Sequence, residues 1–391
     1  MRDEIDRRAM TTLSTGHAAV DFASGAFPAL IPFLVAEYGL GYAAAAVLML
    51  AVTASSSLVQ PLFGLWSDRN GALWLLPGGL ALAAIGTGLT AIAPSYGVAV
   101  ALAFAAGLGI AAYHPEGAKF AAYASGARRA SGMSLFNVGG NAGYALGPIV
   151  VTPLVLWLGL AGGVLAALPA LLVALLLVRE LPTLARLGAL PTVRHRGLGE
   201  TRVGAMALLG GVIALRSVAW FGLLTFVPLW VVSTGGTEGE GNRELALMLV
   251  AGAVGTLLLG PLADRIGLRR MMLATQAALP ILIVVFVKVG GLVGTVALML
   301  VGVCVVGTFG VTMVLSQLYL PRHVGMASGL SVGLAMGIGG IAAVVLGVLA
   351  DAVDLESALL VAAAAPAAGV LLCLFLPRPS APRLAATAAT A

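Results

Sequence analysis

Ionisable side chains occur at two places inside apolar stretches of this chain, where charge is otherwise rare. The stretch HAAVDFASG places His17 and Asp21 four residues apart, and the stretch AAYHPEGAKFAAY contains His114, Glu116 and Lys119. Residues at positions i and i+4 share one face of a helix. A carboxylate can bind and release a proton, and an imidazole does so near neutral pH. The two stretches therefore predict a proton-relay site in which Asp21 or Glu116 carries the proton and the two histidines, His17 and His114, are the relay partners.

The elements that position these residues are indicated by composition. The 391-residue chain is 60% hydrophobic and 9% charged and has a mean hydropathy of +1.06, whereas soluble domains carry about 25% charged residues. A water-soluble fold cannot bury that much apolar surface, so the solvent of this chain is a lipid bilayer. The 52 glycines favour closely packed helices over a barrel. The predicted fold class is all-α integral membrane.

Other function classes find little support in the sequence. Cys304 and Cys373 lie in separate apolar runs, so neither a disulfide framework nor a metal site is expected. The net charge of +5 comes from basic residues scattered between apolar runs, which argues against a nucleic-acid partner. A nucleophile elbow, a metal-ligand cluster and a phosphate-binding loop are not found, so an integral-membrane enzyme is only a remote alternative. We expect no metal and no cofactor.

Twelve apolar runs have the length of a membrane-spanning helix. They cover 13–36, 43–66, 73–93, 97–124, 131–158, 161–179, 205–233, 244–263, 271–289, 292–319, 325–350 and 356–376. Almost all arginines fall on one side of these spans, which by the positive-inside rule places both termini in the cytoplasm. The predicted organisation is an N-terminal tail, a six-helix bundle, a cytoplasmic loop, a second six-helix bundle and a disordered tail. Their respective bounds are 1–12, 13–180, 181–204, 205–376 and 377–391.

The two halves of the chain repeat each other. GLWSDRNG at 64–71 matches GPLADRIG at 260–267, and ASGMS at 130–134 matches ASGLS at 327–331, with offsets of 196 and 197 residues. Two segments that agree on nearly one offset indicate a duplicated six-helix unit, hence two pseudo-symmetric bundles. The first pair of segments is a polar turn or, because it recurs at symmetric places, a gating latch. Its predicted gating residues are Gly64, Asp68, Arg69, Gly260, Asp264 and Arg265: the glycines would permit close helix contact, and the aspartates would meet a helix N-terminus or a basic side chain.

This repeated loop, in a chain of twelve spans, resembles the hallmark of the major facilitator superfamily. The resemblance covers the whole chain and implies a two-bundle secondary transporter, monomeric, that acts on a small molecule. The first copy, DRNGALW, lacks the basic residues that the second copy, DRIGLRR, keeps. In the fifth span, GGNAGYALGP resembles the glycine-proline signature of the superfamily's antiporters. There Gly143, Gly147 and Pro148 are predicted to give close packing and a kink.

The remaining polar residues inside spans are candidate substrate ligands. Asn137 and Asn141 lie one turn apart in span five, as ligands or as bonds between helices, and Arg216 precedes Trp220 by four residues in span seven. Span ten ends in Thr308, Thr312, Ser316 and Gln317. The substrate-binding candidates are Arg216, Trp220, Lys119, Asn137, Asn141 and Gln317. Spans one, four, seven and ten line the central cavity in the superfamily, and the repeat offset would let Asp21 and Arg216 pair across it.

Two local interpretations remain open for the histidine stretches. The fourth span either ends near Tyr113, leaving Glu116 and Lys119 as a solvated pair, or continues through a bend at Pro115 so that the stretch faces the cavity. His17 is either a relay partner or an interfacial histidine.

The first-span and fourth-span stretches together resemble the fosmidomycin resistance protein family of bacterial efflux transporters. His17, Asp21, His114, Pro115 and Glu116 carry the specific part of that match. The resemblance implies a proton-coupled antiporter in the inner membrane of a bacterium that exports a drug or a small organic anion, fosmidomycin being a phosphonate. The alternative is a proton symporter that takes up a small organic acid or phosphonate.

Overall fold

The computed structural model describes residues 4–70, 72–126, 128–188, 201–322 and 324–378, and for 68–70, 129, 130, 324, 325, 328, 329, 332 and 334 it describes the backbone alone. These ranges form thirteen α-helices. The helices are α1 (Arg7–Tyr38), α2 (Tyr42–Asn70), α3 (Leu75–Thr90), α4 (Tyr96–Ala124), α5 (Arg129–Leu158), α6 (Ala161–Gly188), α7 (Val203–Ser233), α8 (Glu238–Ile266), α9 (Leu268–Val289), α10 (Gly291–Val306), α11 (Phe309–Tyr319), α12 (Val324–Ala352) and α13 (Leu355–Phe375).

The helices give twelve membrane crossings. Eleven stretches are long and apolar enough to cross a bilayer, and in this count α10 and α11 together form one stretch of 29 residues, Gly291–Tyr319. The twelfth crossing is the apolar but shorter α3, whose 16 residues span about 24 Å at 1.5 Å per residue. The all-α integral membrane fold predicted from composition is confirmed.

Several helix bounds differ from those predicted, and three of the differences are informative. The tenth span, expected to be continuous over 292–319, is interrupted at Gly307 and Thr308. α1 begins at Arg7, inside the expected tail, because the Asp6 side chain caps it by accepting a hydrogen bond from the Ala9 N–H at 3.1 Å. α6 continues eight residues beyond 180 because Leu184 and Leu187 remain buried against the core. The expected loop 181–204 therefore starts later, and its residues 189–200 lie outside the described residues.

The helix ends form two faces, because consecutive membrane crossings run in opposite directions. The Asp6 N–H donates to the Ala124 carbonyl at 2.8 Å, so the start of α1 lies beside the end of α4. The Tyr319 hydroxyl donates to the Pro377 carbonyl at 2.7 Å, so the ends of α11 and α13 also lie together. We call the face that holds the start of α1 and the end of α13 the terminal face, and the opposite one the distal face.

Close packing of α1 against α5 depends on glycine. At Gly143 a Cβ atom would overlap the Ala18 carbonyl, and at Gly147 it would overlap the backbone at Gly25 and Ala26. Without side chains between them, the two helix backbones come into direct contact. The glycines predicted to pack closely in the fifth span therefore do so, and Pro148 lies inside the same helix.

We expect Gly143→Ala to destabilise the protein, because the added methyl group must displace a backbone carbonyl. The cost should reach about 3 kcal/mol, the upper end for overpacking a core. Thermal unfolding of detergent-solubilised protein measures the effect. Gly97→Ala is the matched control, because a Cβ at position 97 would meet no atom of the described residues within 4 Å. Equal melting temperatures for the two variants would contradict the importance of this contact.

Candidate functional site

Asp21 lies between two histidines in the N-terminal bundle. Its Oδ2 is 3.2 Å from His17 Nε2, one turn away on α1, and its Oδ1 is 3.1 Å from His114 Nε2 on α4. The Asp21 side chain is 17% exposed, that of His17 9% and that of His114 24%. The i, i+4 spacing on α1 thus joins His17 to Asp21 as predicted, and the fold adds His114. We call these three residues the histidine–aspartate cluster.

In both imidazoles the nitrogen that faces away from Asp21, Nδ1, lies at hydrogen-bonding distance from a backbone carbonyl. His17 Nδ1 lies 2.8 Å from the Phe136 carbonyl and His114 Nδ1 lies 2.9 Å from the Ile110 carbonyl. A carbonyl oxygen can only accept a hydrogen bond, so each Nδ1 carries the hydrogen and donates it. Hydrogen bonds from both Nε2 atoms to the carboxylate then require two doubly protonated rings. Loss of one proton from either ring leaves a lone pair facing a carboxylate oxygen.

Helix α5 closes one side of the cluster. The Phe136 ring stacks on the His17 ring with 4.0 Å between centroids. A Cβ at Gly140 would lie 2.6 Å from Asp21 Oδ2 and 2.7 Å from His17 Nε2, so only glycine fits at this position. Gly140 carries no signal in the sequence, because only its contact with the cluster distinguishes it from the many other glycines.

The cluster also has the donor types of a metal site. One ligand atom from each of His17, Asp21 and His114 lies within 4.8 Å of the others. Two of the three pairs, however, are at hydrogen-bonding distances of 3.2 and 3.1 Å, so protons alone satisfy the group. We therefore treat it as a hydrogen-bonded cluster.

Glu116 does not face open space. Its side chain is 1% exposed, and its carboxylate contacts Lys119 Nζ at 2.7 Å and accepts a hydrogen bond from the Ser67 hydroxyl on α2. α4 continues through Pro115 to Ala124, so the span does not end near Tyr113. The expectation that this carboxylate faces a cavity is wrong, because the continuous helix turns Glu116 towards α2. Glu116 and Lys119, both on α4, each bind the Ser67 hydroxyl of α2 and so link the two helices.

We expect Glu116→Gln to lower stability more than it alters the pH dependence of transport. Removing one partner of a buried ion pair leaves the other charge uncompensated, at a cost of about 3 kcal/mol. The melting temperature of purified protein and the pH profile of transport are the two readouts. The double variant Glu116→Gln/Lys119→Met should recover much of the loss. A lost pH dependence at unchanged melting temperature would return Glu116 to the proton pathway.

Arg216 brings a permanent positive charge into the C-terminal bundle. It is 3% exposed, and its Nη1 donates to the Thr308 hydroxyl at 2.8 Å. Thr308 lies at the break between α10 and α11. Among the described residues no carboxylate forms an ion pair with Arg216, so the expected pairing with Asp21 is not found. Trp220, one turn along α7, is half-buried and packs against the core.

The other predicted ligands are spread over the molecule. Asn141 donates to the Thr256 hydroxyl at 3.2 Å and so links α5 to α8 across the two bundles. Asn137 is exposed, and Gln317 is half-buried near the end of α11. Thr256 carried no sequence signal, because a lone threonine in an apolar span is common.

The predicted gating residues are only partly visible. The side chains of Asp68 and Arg69 lie outside the described residues, whereas Asp264 and Arg265 are exposed on the terminal face. In the described part of the chain Asp264 has no ion-pair partner. Among the described residues, a Cβ at Gly260 would meet no atom within 4 Å, whereas one at Gly64 would lie in ordinary van der Waals contact with Pro115 Cβ on α4, at 3.6 Å. Gly64 therefore lies close to another helix, α4, whereas the close contact expected of Gly260 is not found in the part of the chain that the structure describes.

Comparison with known proteins gives the family. The family model of the Major Facilitator Superfamily matches residues 13–330. YfnC of Bacillus subtilis (strain 168), described as an uncharacterized MFS-type transporter, is 31% identical over 365 residues, which is 91% of this chain and 89% of YfnC. The fosmidomycin resistance protein of Escherichia coli (strain K12) is 30% identical over 383 residues, 93% of this chain and 91% of that protein.

Solved structures agree on the fold. A bacterial homolog of the human lysosomal transporter Spinster, in an inward-facing and occupied conformation, matches with a TM-score of 0.76 at 14% identity, covering 95% of this chain and 97% of the homolog. FucP in the outward conformation matches with a TM-score of 0.64 at 16% identity, covering 94% and 98%. With twelve apolar crossings, a family match over most of its length and relatives of 30–31% identity, this chain belongs to the major facilitator superfamily and is a membrane transporter, not an enzyme.

Proposed function

We propose that this transporter is a proton-coupled antiporter that exports a small organic anion or drug, such as a phosphonate, from the cytoplasm. The observation that carries the proposal is the histidine–aspartate cluster, in which one carboxylate contacts two imidazoles at 3.2 and 3.1 Å inside an apolar bundle. Polar groups are costly inside a membrane and are retained where they serve transport.

The cluster can hold a variable number of protons. With both rings doubly protonated and Asp21 ionised, its net charge is +1; after loss of one proton it is neutral. Each proton sits at Nε2, between an imidazole and the carboxylate, because Nδ1 is held by a backbone carbonyl. A cluster that is loaded on one side of the membrane and unloaded on the other is what proton coupling requires.

Arg216 supports an anionic cargo. A guanidinium remains charged at any physiological pH and binds carboxylates and phosphonates in a bidentate manner. Its buried position without a carboxylate partner among the described residues leaves a positive charge for a ligand to neutralise. The relative named fosmidomycin resistance protein favours a phosphonate, and Trp220 would provide an apolar wall beside it.

The orientation follows from charge. Almost all arginines of the chain fall in the breaks between spans that belong to the terminal face. By the positive-inside rule we therefore place this face and both termini in the cytoplasm of a bacterium. The chain would then lie in the inner membrane, as a monomer.

Inside-out vesicles energised to an acidic interior test the direction of transport. Because the cytoplasmic face then points outwards, an exporter should carry added phosphonate into the lumen and release protons from it, so a pH-sensitive dye should report alkalinisation. Vesicles without the protein are the control. Proton movement in the same direction as the cargo would replace the antiporter by the symporter, and cargo uptake without proton movement would remove the coupling.

A further inference from the structure

The two bundles are joined at the distal face by a carboxylate that caps a helix of the other bundle. Asp351, near the end of α12, accepts hydrogen bonds from the backbone N–H groups of Tyr42 at 2.7 Å and Ala43 at 2.9 Å. These are the first two residues of α2, which belongs to the N-terminal bundle. We call this contact the distal latch.

Helix α2 lacks an N-cap side chain of its own. Four other helices begin with a side chain that accepts a hydrogen bond from their first turn, namely Asp6 for α1, Ser95 for α4, Thr237 for α8 and Asp354 for α13. The residue before α2 is Gly41, which has no side-chain acceptor. The free N–H groups and the positive end of the helix dipole are therefore satisfied by a carboxylate from the opposite bundle.

The surroundings of the latch are shaped for close approach. A Cβ at Gly347 would lie 2.8 Å from Ala43 Cα, and a Cβ at Gly41 would lie 3.0 Å from Asp351 Oδ1. The Tyr42 ring packs edge-on against Phe226 of the C-terminal bundle, with 6.4 Å between centroids. Gly347 thus lets α12 approach the backbone at the start of α2, and Gly41 leaves room for the Asp351 carboxylate.

A second hydrogen bond joins the two bundles towards the distal face. The Asn242 side chain on α8 donates to the Ala29 carbonyl on α1 at 2.8 Å, and Asn242 is buried. Thr53 lies on α2 about three helical turns beyond the latch, is 2% exposed, and places its hydroxyl against Gly340 of α12. Contacts between the bundles therefore seal the distal end of the path that a cargo between them would take.

We infer that Asp351 is a gating residue that holds the distal face closed by capping α2 in trans, and that this contact must break each time the transporter opens to that side. When the bundles separate, two backbone N–H groups lose their acceptor together with the charge that neutralises the helix dipole. Loss of these contacts penalises opening to the distal side. The inference does not depend on which cargo is carried or on whether protons are coupled.

Accessibility of a buried reporter tests this inference. In a background of Cys304→Ala and Cys373→Ala, the reporter Thr53→Cys is exposed to a membrane-impermeant maleimide applied from the distal side of intact cells. Asp351→Ala should raise the labelling rate by about threefold to thirtyfold, the population shift that corresponds to the loss of one N-cap acceptor. Asp354→Ala is the matched control, because Asp354 caps a helix of its own bundle and accepts from Ser357 N–H at 2.6 Å.

A reversible disulfide crosslink tests the opposite change, a distal face that cannot open. The pair Gly41→Cys/Asp351→Cys places the two sulfurs within bonding reach, since a Cβ at position 41 lies 3.3 Å from Asp351 Cγ. Oxidation should suppress labelling at position 53 and stop transport, and reduction should restore both. Labelling in Asp351→Ala equal to that in Asp354→Ala, or full transport by the oxidised pair, would overturn the inference.

Discussion

Asp21→Asn is expected to abolish proton-driven transport while the protein still inserts and binds its cargo. The amide keeps the shape of the carboxylate but offers one acceptor oxygen and one NH2 donor, so one of the two Nε2–H groups of His17 and His114 faces a donor, and the negative charge between the rings is lost. Transport under an imposed pH gradient should fall to the background of cells without the protein. Exchange of labelled for unlabelled cargo at equal pH on both sides should persist, because exchange needs no net proton movement.

Glu180→Gln is the control for the loss of a carboxylate. Glu180 pairs with Arg8 at 2.7 Å within the N-terminal bundle, away from the cluster. That variant should transport at close to the wild-type rate. Gradient-driven transport by Asp21→Asn at the wild-type rate would show that the histidine–aspartate cluster is structural and that the proposed coupling site is wrong.

Arg216→Ala is expected to weaken binding of an anionic cargo by about 30-fold or more, which corresponds to roughly 2 kcal/mol for a lost buried charge contact. Binding of a neutral or cationic compound should change little. The concentration dependence of transport, measured for a phosphonate and for a lipophilic cation, separates the two effects. Arg216→Lys should retain part of the affinity, since it keeps the charge but loses the bidentate geometry.

Thr308→Val is the matched control for Arg216. It removes the hydrogen-bond partner at 2.8 Å but leaves the guanidinium in place, so affinity for the anion should fall less than in Arg216→Ala. An equal loss for anion and cation in Arg216→Ala would mean that the arginine stabilises the bundle and does not bind cargo.

The sequence by itself determined the fold class and the position of most helices. Apolar runs long enough to cross a bilayer are a one-dimensional signal, because each crossing must satisfy its own backbone hydrogen bonds. The repeat of the Asp-Arg turn also indicated the duplication, because a repeated motif can be recognised without three-dimensional information. The differences concern helix bounds. α6 continues to Gly188 because Leu184 and Leu187 are buried against the core, and the tenth span is divided into two helices at Thr308.

The candidate site was determined only in part. His17 and Asp21 could be joined from sequence, because the i, i+4 spacing on one helix fixes their distance. The choice between His114 and Glu116 as the neighbour of Asp21 could not be made. Two residues apart on α4, they point in different directions, and only the packing of α4 against α1 and α2 decides that the histidine meets Asp21 while the glutamate turns towards Ser67.

Contacts between the bundles were decided by tertiary structure alone. Asp351 was readable from sequence only as an acidic residue in a short loop, and Gly41 only as a turn glycine. That a carboxylate caps a helix 308 residues earlier in the chain depends on how two bundles meet, which no local pattern encodes. Local spacing fixes what lies within one helix, whereas burial and the direction of each side chain are set by which helices pack together.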